Sequence, residues 1–131
     1  MARQCVAFRW TAKPVSLTHL CALLGTNMTD LLSDLLSKRD WLVADGATGT
    51  NLFAMGLEAG EAPELWNTGA PDKIRALYQG FIDAGSDLIL TNSFGGTRAR
   101  LKLHHAQDHA LELNRIAADL ARECADKAGR P

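Results

Sequence analysis

The sequence predicts an α/β fold in which short buried strands alternate with amphipathic helices. Residues 41–44 and 88–90 are continuous apolar runs, which is the composition of strands covered on both faces. Each run leads through a Gly-rich loop into a segment whose apolar residues recur at helical spacing. The order strand, helix, strand, helix is typical of parallel sheets with right-handed crossovers.

The composition indicates a globular protein and argues against several classes of binding partner. The chain has 131 residues, 47% hydrophobic and 22% charged, which suits one globular domain. Its net charge of −1 argues against partners bound by bulk charge, namely nucleic acid and anionic membranes. No apolar run approaches the roughly 20 residues that span a bilayer. Cys5, Cys21 and Cys124 form no CxxC pair, so we expect a reducing cytoplasm and no disulfide framework.

The first 27 residues differ from the rest because they contain basic residues and no acid. We expect residues 1–27 to be a disordered tail or an over-extended start, and residues 28–131 to be the domain. Thr29 or Asp30 is a natural cap for a first helix. That helix carries four leucines: Leu31, Leu32, Leu35 and Leu36.

The region between the two predicted strands divides into a loop and a helix. Residues 46–70 are polar and Gly-rich, which predicts a long loop. Pro71 and Asp72 suit a first helical turn, and Gly85 suits a left-handed cap at the end. The apolar stripe of this helix is Ile74, Leu77, Tyr78, Phe81 and Ile82.

The last predicted helix runs from about residue 108 to 128. Its apolar stripe is Leu113, Ile116, Ala117, Leu120, Ala121 and Cys124. The position of Cys124 on this stripe predicts a packed, inert thiol.

Polar side chains follow both predicted strands. Asp45 comes directly after the first strand, and Thr91 and Asn92 follow the second. Because ligands of parallel α/β folds bind beyond the carboxyl ends of the strands, we expect these side chains to meet at one rim. Asp87 precedes its strand and is predicted to have a structural role at the opposite end.

The loop GATGT after Asp45 lacks the lysine of a phosphate loop and the third glycine of GxGxxG, so nucleotide binding is not predicted. Gly46 and Gly49 can expose N–H groups that hold a carboxylate. Beside the Asp45 carboxylate, such a cradle suits the two charged groups of an amino acid. The alternative is an Asx-type turn in which Asp45 bonds only its own loop.

The segment SFGGTRAR leaves other interpretations open. Arg98 and Arg100 after two glycines could grip a phosphate, although they could equally be solvated surface. Phe94 could line a pocket or belong to the core. His105 and His109 stand four residues apart but lack the glutamate of HExxH, so no metal site is predicted there.

Three segments together resemble the homocysteine S-methyltransferase domain family: DGATGTNL, APELWN and AGSDLILTNSFGGT. The family includes the betaine–homocysteine methyltransferases and the homocysteine-binding module of cobalamin-dependent methionine synthase. The resemblance covers about residues 31–128. APELWN and DKIRALYQG are most similar to the bacterial betaine-type members.

The resemblance implies that the chain is the amino-terminal part, about two βα units, of a (β/α)8 TIM barrel. It implies methyl transfer to the thiol of homocysteine, giving methionine, with zinc making the thiolate nucleophile. The family's three zinc cysteines lie on later strands, and the cysteines of this chain match none of them. We therefore expect zinc only in the full-length domain, with its ligands absent here, and an isolated chain that is inactive and marginally stable.

The resemblance also implies roles for residues after the first strand. Asp45 would accept the homocysteine ammonium. The N–H groups of Gly46 and Ala47, with Thr48, would face its carboxylate.

After the second strand, the resemblance implies that Thr91 helps to fix the amino-acid end, with Asn92 nearby, and that Phe94 lines the pocket. No catalytic or metal-binding residue is assigned. The methyl donor is left open among betaine, a related sulfonium compound, S-methylmethionine and methylcobalamin. The alternatives are a catalytically inactive truncated fragment and a different, phosphate-binding TIM-barrel enzyme.

Overall fold

The computed structural model describes residues 7–8 and 31–129, and this part of the chain is mostly helical. The two strands are β1 (Ala7–Phe8) and β2 (Leu42–Val43). The helices are α1 (Leu31–Lys38), α2 (Thr48–Ala54), α3 (Trp66–Gly69), α4 (Pro71–Asp83), α5 (Arg98–Leu101) and α6 (Ala110–Lys127). Short 3-10 helices occupy Pro63–Leu65, Lys102–His104 and Gln107–His109.

The predicted parallel pairing between the segments at residues 41–44 and 88–90 is reduced to a single bridge, which joins Ala44 to Leu88. β2 also pairs with β1, but this pairing is antiparallel, with Ala7 opposite Val43. The prediction that residues 88–90 form a strand buried on both faces is wrong, because Leu90 is 66% exposed while Ile89 packs against the core. Side chains alternate in an extended segment, and the described residues cover only one of its faces.

The prediction of a long loop over residues 46–70 is also wrong. This region contains α2, the 3-10 helix Pro63–Leu65 and α3. Leu52 and Leu57 are buried in the core, so the region carries an apolar stripe of its own within a polar composition. Gly56 ends α2 with a φ of 98°, a left-handed conformation that favours glycine.

The two long helices are confirmed. α4 and α6 contribute most of the main core, and Gly85 follows α4 with a φ of 96°. α6 begins two residues later than predicted because residues 107–109 form a 3-10 turn. The main core consists of Leu52, Leu57, Ile74, Leu77, Tyr78, Ile82, Leu120, Ala121 and Cys124. Burial raises the pKa of the Cys124 thiol, which agrees with a packed and inert cysteine.

The first helix forms as expected, but Leu32 and Leu36 on its surface are exposed. Its predicted caps, Thr29 and Asp30, lie outside the described residues. Of the predicted amino-terminal tail, the structure describes only β1. Within residues 7–8 and 31–129, no helix is long and apolar enough to cross a membrane.

Candidate functional site

The parallel bridge brings the two polar loops together. The Asp45 N–H donates to the Leu88 carbonyl at 2.9 Å, and the Leu90 N–H donates to Asp45 Oδ2 at 2.7 Å. Asp45 is therefore next to the segment that carries Thr91 and Asn92. The expected adjacency of the two segments is confirmed, but the Asp45 carboxylate bonds to Leu90 and not to Thr91 or Asn92.

The Asp45 carboxylate is buried and only half satisfied. The residue is 7% exposed, and Oδ1 has no hydrogen-bond partner among the described residues. Burial raises the pKa of this carboxyl group, and the Leu90 N–H offsets the effect in part. Because the carboxylate bonds across to the second chain segment, the Asx-type alternative, in which it bonds only its own loop, is wrong. A buried acceptor without a donor is costly and calls for a functional explanation.

Asp87 occupies the other end of the same strand pair. Its Oδ2 accepts the Val43 N–H at 3.0 Å, and its Oδ1 accepts Arg39 Nη1 at 2.5 Å. The side chain is largely buried, whereas that of Arg39 is exposed. The predicted structural role of Asp87 is confirmed.

The loop after Asp45 leaves backbone donors available. Gly46 is half-buried, and Ala47 is the exposed residue that precedes α2. Among the described residues, the N–H groups of Gly46 and Ala47 have no acceptor, whereas the Ala47 carbonyl accepts the side-chain amide of Asn51 at 2.8 Å. These N–H groups could hold an anionic group of a ligand.

Thr91 and Phe94 lie on the surface of the second loop. The Thr91 and Ser93 hydroxyls are 2.6 Å apart. Phe94 is 88% exposed, so the core alternative for its ring is wrong, and the Arg100 guanidinium lies 5.0 Å from the ring centroid.

Asn92 points inward instead. Its Nδ2 donates to the Pro63 carbonyl at 2.8 Å and to Asn67 Oδ1 at 2.9 Å. Its backbone N–H donates to the Tyr78 hydroxyl at 2.7 Å. The side-chain amide of Asn92 is therefore engaged with the protein.

A cleft of about 550 Å³ lies between the two loops and the segment before α3. Four of the seven predicted residues line it: Thr48, Thr91, Asn92 and Phe94. The other three, Asp45, Gly46 and Ala47, are not among its lining residues.

Sequence reasoning missed Glu64, which lines the cleft and is 5% exposed. Its Oε1 accepts the Gly95 N–H at 2.5 Å. The available signal was the Gly95-Gly96 pair, because adjacent glycines often indicate that another group occupies the space of their side chains.

The phosphate-grip alternative receives no support from the geometry. The Gly95 N–H is bound to Glu64, and the Gly96 N–H donates to the Ser93 carbonyl at 3.0 Å. Arg98 pairs with Asp108 at 2.8 Å. The backbone donors and one of the two arginines are thus already engaged.

The described residues do not fit a zinc site. In residues 7–8 and 31–129, no three His, Cys, Asp or Glu side chains are grouped so that they could hold a metal ion. Cys124 lies in the apolar core, His105 adopts a left-handed conformation with φ 55°, and His109 lies 3.2 Å from Glu112.

Comparison with known proteins identifies the family. A family model described as homocysteine S-methyltransferase matches residues 42–131. The methionine synthase of Mycobacterium tuberculosis (strain ATCC 25618 / H37Rv) is 34% identical over 109 residues, and that of Mycobacterium leprae (strain TN) is 32% identical over 111. Each match covers 79% of this chain but 9% of the relative, so the chain spans a small part of these curated relatives. The match over residues 42–131 means that the chain belongs to the homocysteine S-methyltransferase family.

Proposed function

We propose that this chain binds homocysteine and contributes part of the site at which its thiol is methylated to give methionine. The observation that carries the proposal is the buried Asp45 carboxylate, whose Oδ1 has no partner among the described residues. Family membership and relatives named methionine synthase support the same substrate.

In this proposal the two ends of the amino acid are bound by different groups. Asp45 accepts the ammonium, which would satisfy Oδ1 and compensate the burial of its charge. The N–H groups of Gly46 and Ala47, with Thr48 at the start of α2, bind the carboxylate. Small movements of this loop would open Asp45 to the cleft.

The second loop completes the proposed pocket. Thr91 helps to fix the amino-acid end, and its hydroxyl is supported by Ser93. Asn92 lies nearby and contributes through the loop conformation, since its side chain bonds to Pro63 and Asn67. Phe94 forms an apolar side of the pocket.

We further propose that the chain corresponds to about two βα units of a (β/α)8 barrel. The parallel bridge between Ala44 and Leu88, with α4 between the two segments, supports this topology. Zinc and its cysteine ligands would belong to the full-length domain, where the metal makes thiolate available at neutral pH. The isolated chain would bind substrate without turnover.

The betaine-type methyl donor stays a proposal that rests on APELWN and DKIRALYQG, whereas the relatives above are named methionine synthase. A cytoplasmic location accompanies the proposal and rests only on the wide spacing of the three cysteines in the sequence.

The proposal is tested by calorimetric titration of the chain with L-homocysteine under reducing conditions. N-acetyl-L-homocysteine is the matched ligand, because it keeps the thiol and carboxylate but lacks the ammonium. We expect the acetylated compound to bind at least tenfold more weakly, since Asp45 then has no cationic partner. Equal affinity for the two compounds would exclude the proposed role of Asp45.

A further inference from the structure

The segment that carries Thr91 and Phe94 is held from behind by three side chains: Glu64, Asn67 and Tyr78, here called the clasp. The Tyr78 hydroxyl accepts the Asn92 N–H at 2.7 Å, and Asn67 Nδ2 donates to the Asn92 carbonyl at 3.0 Å. The clasp residues come from the 3-10 helix before α3, from α3 and from α4. All three are buried, so the clasp replaces water in binding the loop backbone.

Glu64 differs from the other two clasp residues because it bears a carboxylate and also lines the cleft. Within residues 31–129, the Gly95 N–H is the only hydrogen-bond donor to that carboxylate. A side chain added at Gly95 would place its Cβ 2.8 Å from Glu64 Oε1. A larger residue at position 95 would therefore displace the Glu64 carboxylate from its present position.

Glu64 differs from Asp45 in that neither of its carboxylate oxygens is a buried atom without a partner among the described residues, because Oε1 accepts the Gly95 N–H and the side chain lines the cleft. The carboxylate supplies a short, charge-assisted bond that fixes a loop more strictly than a neutral contact would. Such a bond is expected where the position of a loop is important for binding, as for the loop that carries Thr91 and Phe94.

We propose that Glu64 is a positioning residue for the site: by binding the Gly95 N–H it fixes the loop that presents Thr91 and Phe94 to the cleft. The proposal rests on the proposed homocysteine function for its consequence, since a loosened loop would weaken substrate binding. Among the described residues, no hydrogen bond joins Asp45 or the first loop directly to the clasp. The connection between them runs through Leu90, whose N–H binds Asp45.

The test uses the full chain labelled with ¹⁵N and follows the Gly95 amide. In Glu64→Ala we expect the Gly95 amide resonance to move upfield and its hydrogen exchange to accelerate about tenfold or more, because a charge-assisted bond is lost. In Glu64→Gln the carboxamide oxygen can still accept but carries no charge, so the exchange rate should lie between those of the parent and Glu64→Ala. Glu58→Gln, an exposed acid of the preceding turn, is the matched control and should change nothing at Gly95.

A double-variant cycle separates this contact from a general structural role. Gly95→Ala should be destabilising in the parent, because the new Cβ would lie 2.8 Å from Glu64 Oε1 and the carboxylate would have to move away from the Gly95 N–H. The same substitution should be much milder in the Glu64→Ala background, where that space is empty. If the two substitutions are additive, or if Glu64→Ala leaves Gly95 exchange unchanged, the positioning role is excluded.

Binding measurements distinguish this proposal from the proposed function. We expect Glu64→Ala to lower homocysteine affinity about tenfold and Glu64→Gln to lower it by a smaller factor, because a neutral acceptor still holds the Gly95 N–H but less tightly. A parent chain that binds no homocysteine would contradict the proposed function, while the Gly95 measurements would still decide the role of Glu64. Loss of the Gly95 contact without any change in homocysteine affinity would contradict the positioning role alone.

Discussion

Asp45 and Asp87 lie at opposite ends of one short pair of extended segments, and their carboxylates differ in how many hydrogen-bond partners they have. Both carboxylate oxygens of Asp87 are bound, one by the Val43 N–H and one by Arg39. Asp45 has one bound oxygen and one that is buried without a partner. At the amino end of the paired segments, Asp87 therefore has a structural role. At their carboxyl end, Asp45 has one oxygen that could still accept a hydrogen bond from a ligand.

The difference indicates that the ligand-binding end of this α/β unit is the end with the unsatisfied carboxylate. A satisfied carboxylate stabilises the native state and has little left to offer a ligand. An unsatisfied one lowers stability, and the free energy is recovered when a cation binds. The two aspartates should therefore respond in opposite ways when each is replaced.

The largest effect is expected at Asp45. Asp45→Asn keeps an oxygen for the Leu90 N–H but removes the charge, so homocysteine affinity should fall about 100-fold. The free energy of unfolding should not fall at neutral pH, because the buried charge is gone. Calorimetric titration and urea denaturation of the same samples measure the two quantities.

The control for Asp45→Asn is Asp119→Asn, which changes an exposed acid of α6. It should alter neither affinity nor stability. Unchanged homocysteine affinity in Asp45→Asn would contradict the assignment of the ammonium to Asp45.

Asp87 should give the reverse result. Asp87→Ala leaves the Val43 N–H and Arg39 without their acceptor, and we expect a loss of about 2 kcal/mol in the free energy of unfolding. Homocysteine affinity of the folded fraction should stay within about twofold, since Asp87 is at the far end from the cleft. Urea denaturation in the presence and absence of ligand checks both statements, and a specific loss of affinity would undermine the division between the two ends.

The pH dependence of stability sharpens the comparison further. The pKa of Asp45 is raised from 3.8 by burial, so the native state holds its proton more tightly than the unfolded state. Its contribution to stability is therefore present below pH 3.8 and is lost as pH rises through the raised pKa. The slope cannot exceed about 1.4 kcal/mol per pH unit for one proton.

This slope is obtained as the difference in unfolding free energy between the parent and Asp45→Asn, measured from pH 3 to pH 7 by denaturant titration. The parent should lose stability relative to the variant as pH increases. Parallel curves would mean that Asp45 has the same pKa in the native and unfolded states.

The smallest effect is expected at Arg39. Its side chain is more than half exposed, so its ion pair with Asp87 is screened by water. Arg39→Gln should cost about 0.5 kcal/mol, and 1 M NaCl should remove most of the difference between parent and variant. A loss as large as that in Asp87→Ala would mean that the ion pair, and not the Val43 hydrogen bond, is the main contribution of Asp87.

The long helices could be predicted because their apolar residues repeat at 3.6-residue spacing, as in the stripe from Ile74 to Ile82. The strand at residues 88–90 could not be assessed in the same way. A short apolar run predicts a strand but not whether both faces are covered, which depends on elements far away in sequence. Leu88 and Leu90 are both exposed because no described element covers their face of the segment.

The site was partly predictable for a similar reason. The order of strands and helices was sufficient to place Asp45 beside residues 90–92, because parallel pairing aligns the carboxyl ends. Glu64 could not be found that way, since its partner Gly95 is 31 residues away and belongs to no common periodic pattern. The inward turn of Asn92 likewise depends on Pro63 and Asn67, which were assigned to a loop.

Gly96 and Asn114 carry a consequence for how this gene can diverge. Any Cβ at position 96 would overlap the Asn114 side chain, whose Nδ2 binds the Gly96 and Ala110 carbonyls at 2.7 and 2.8 Å. A side chain added at position 96 would therefore push the Asn114 amide away from the carbonyls that it binds. A larger residue at position 96 would therefore be tolerated best beside a smaller residue at position 114, so a library randomised at these two codons together should recover few large residues at position 96 beside Asn114.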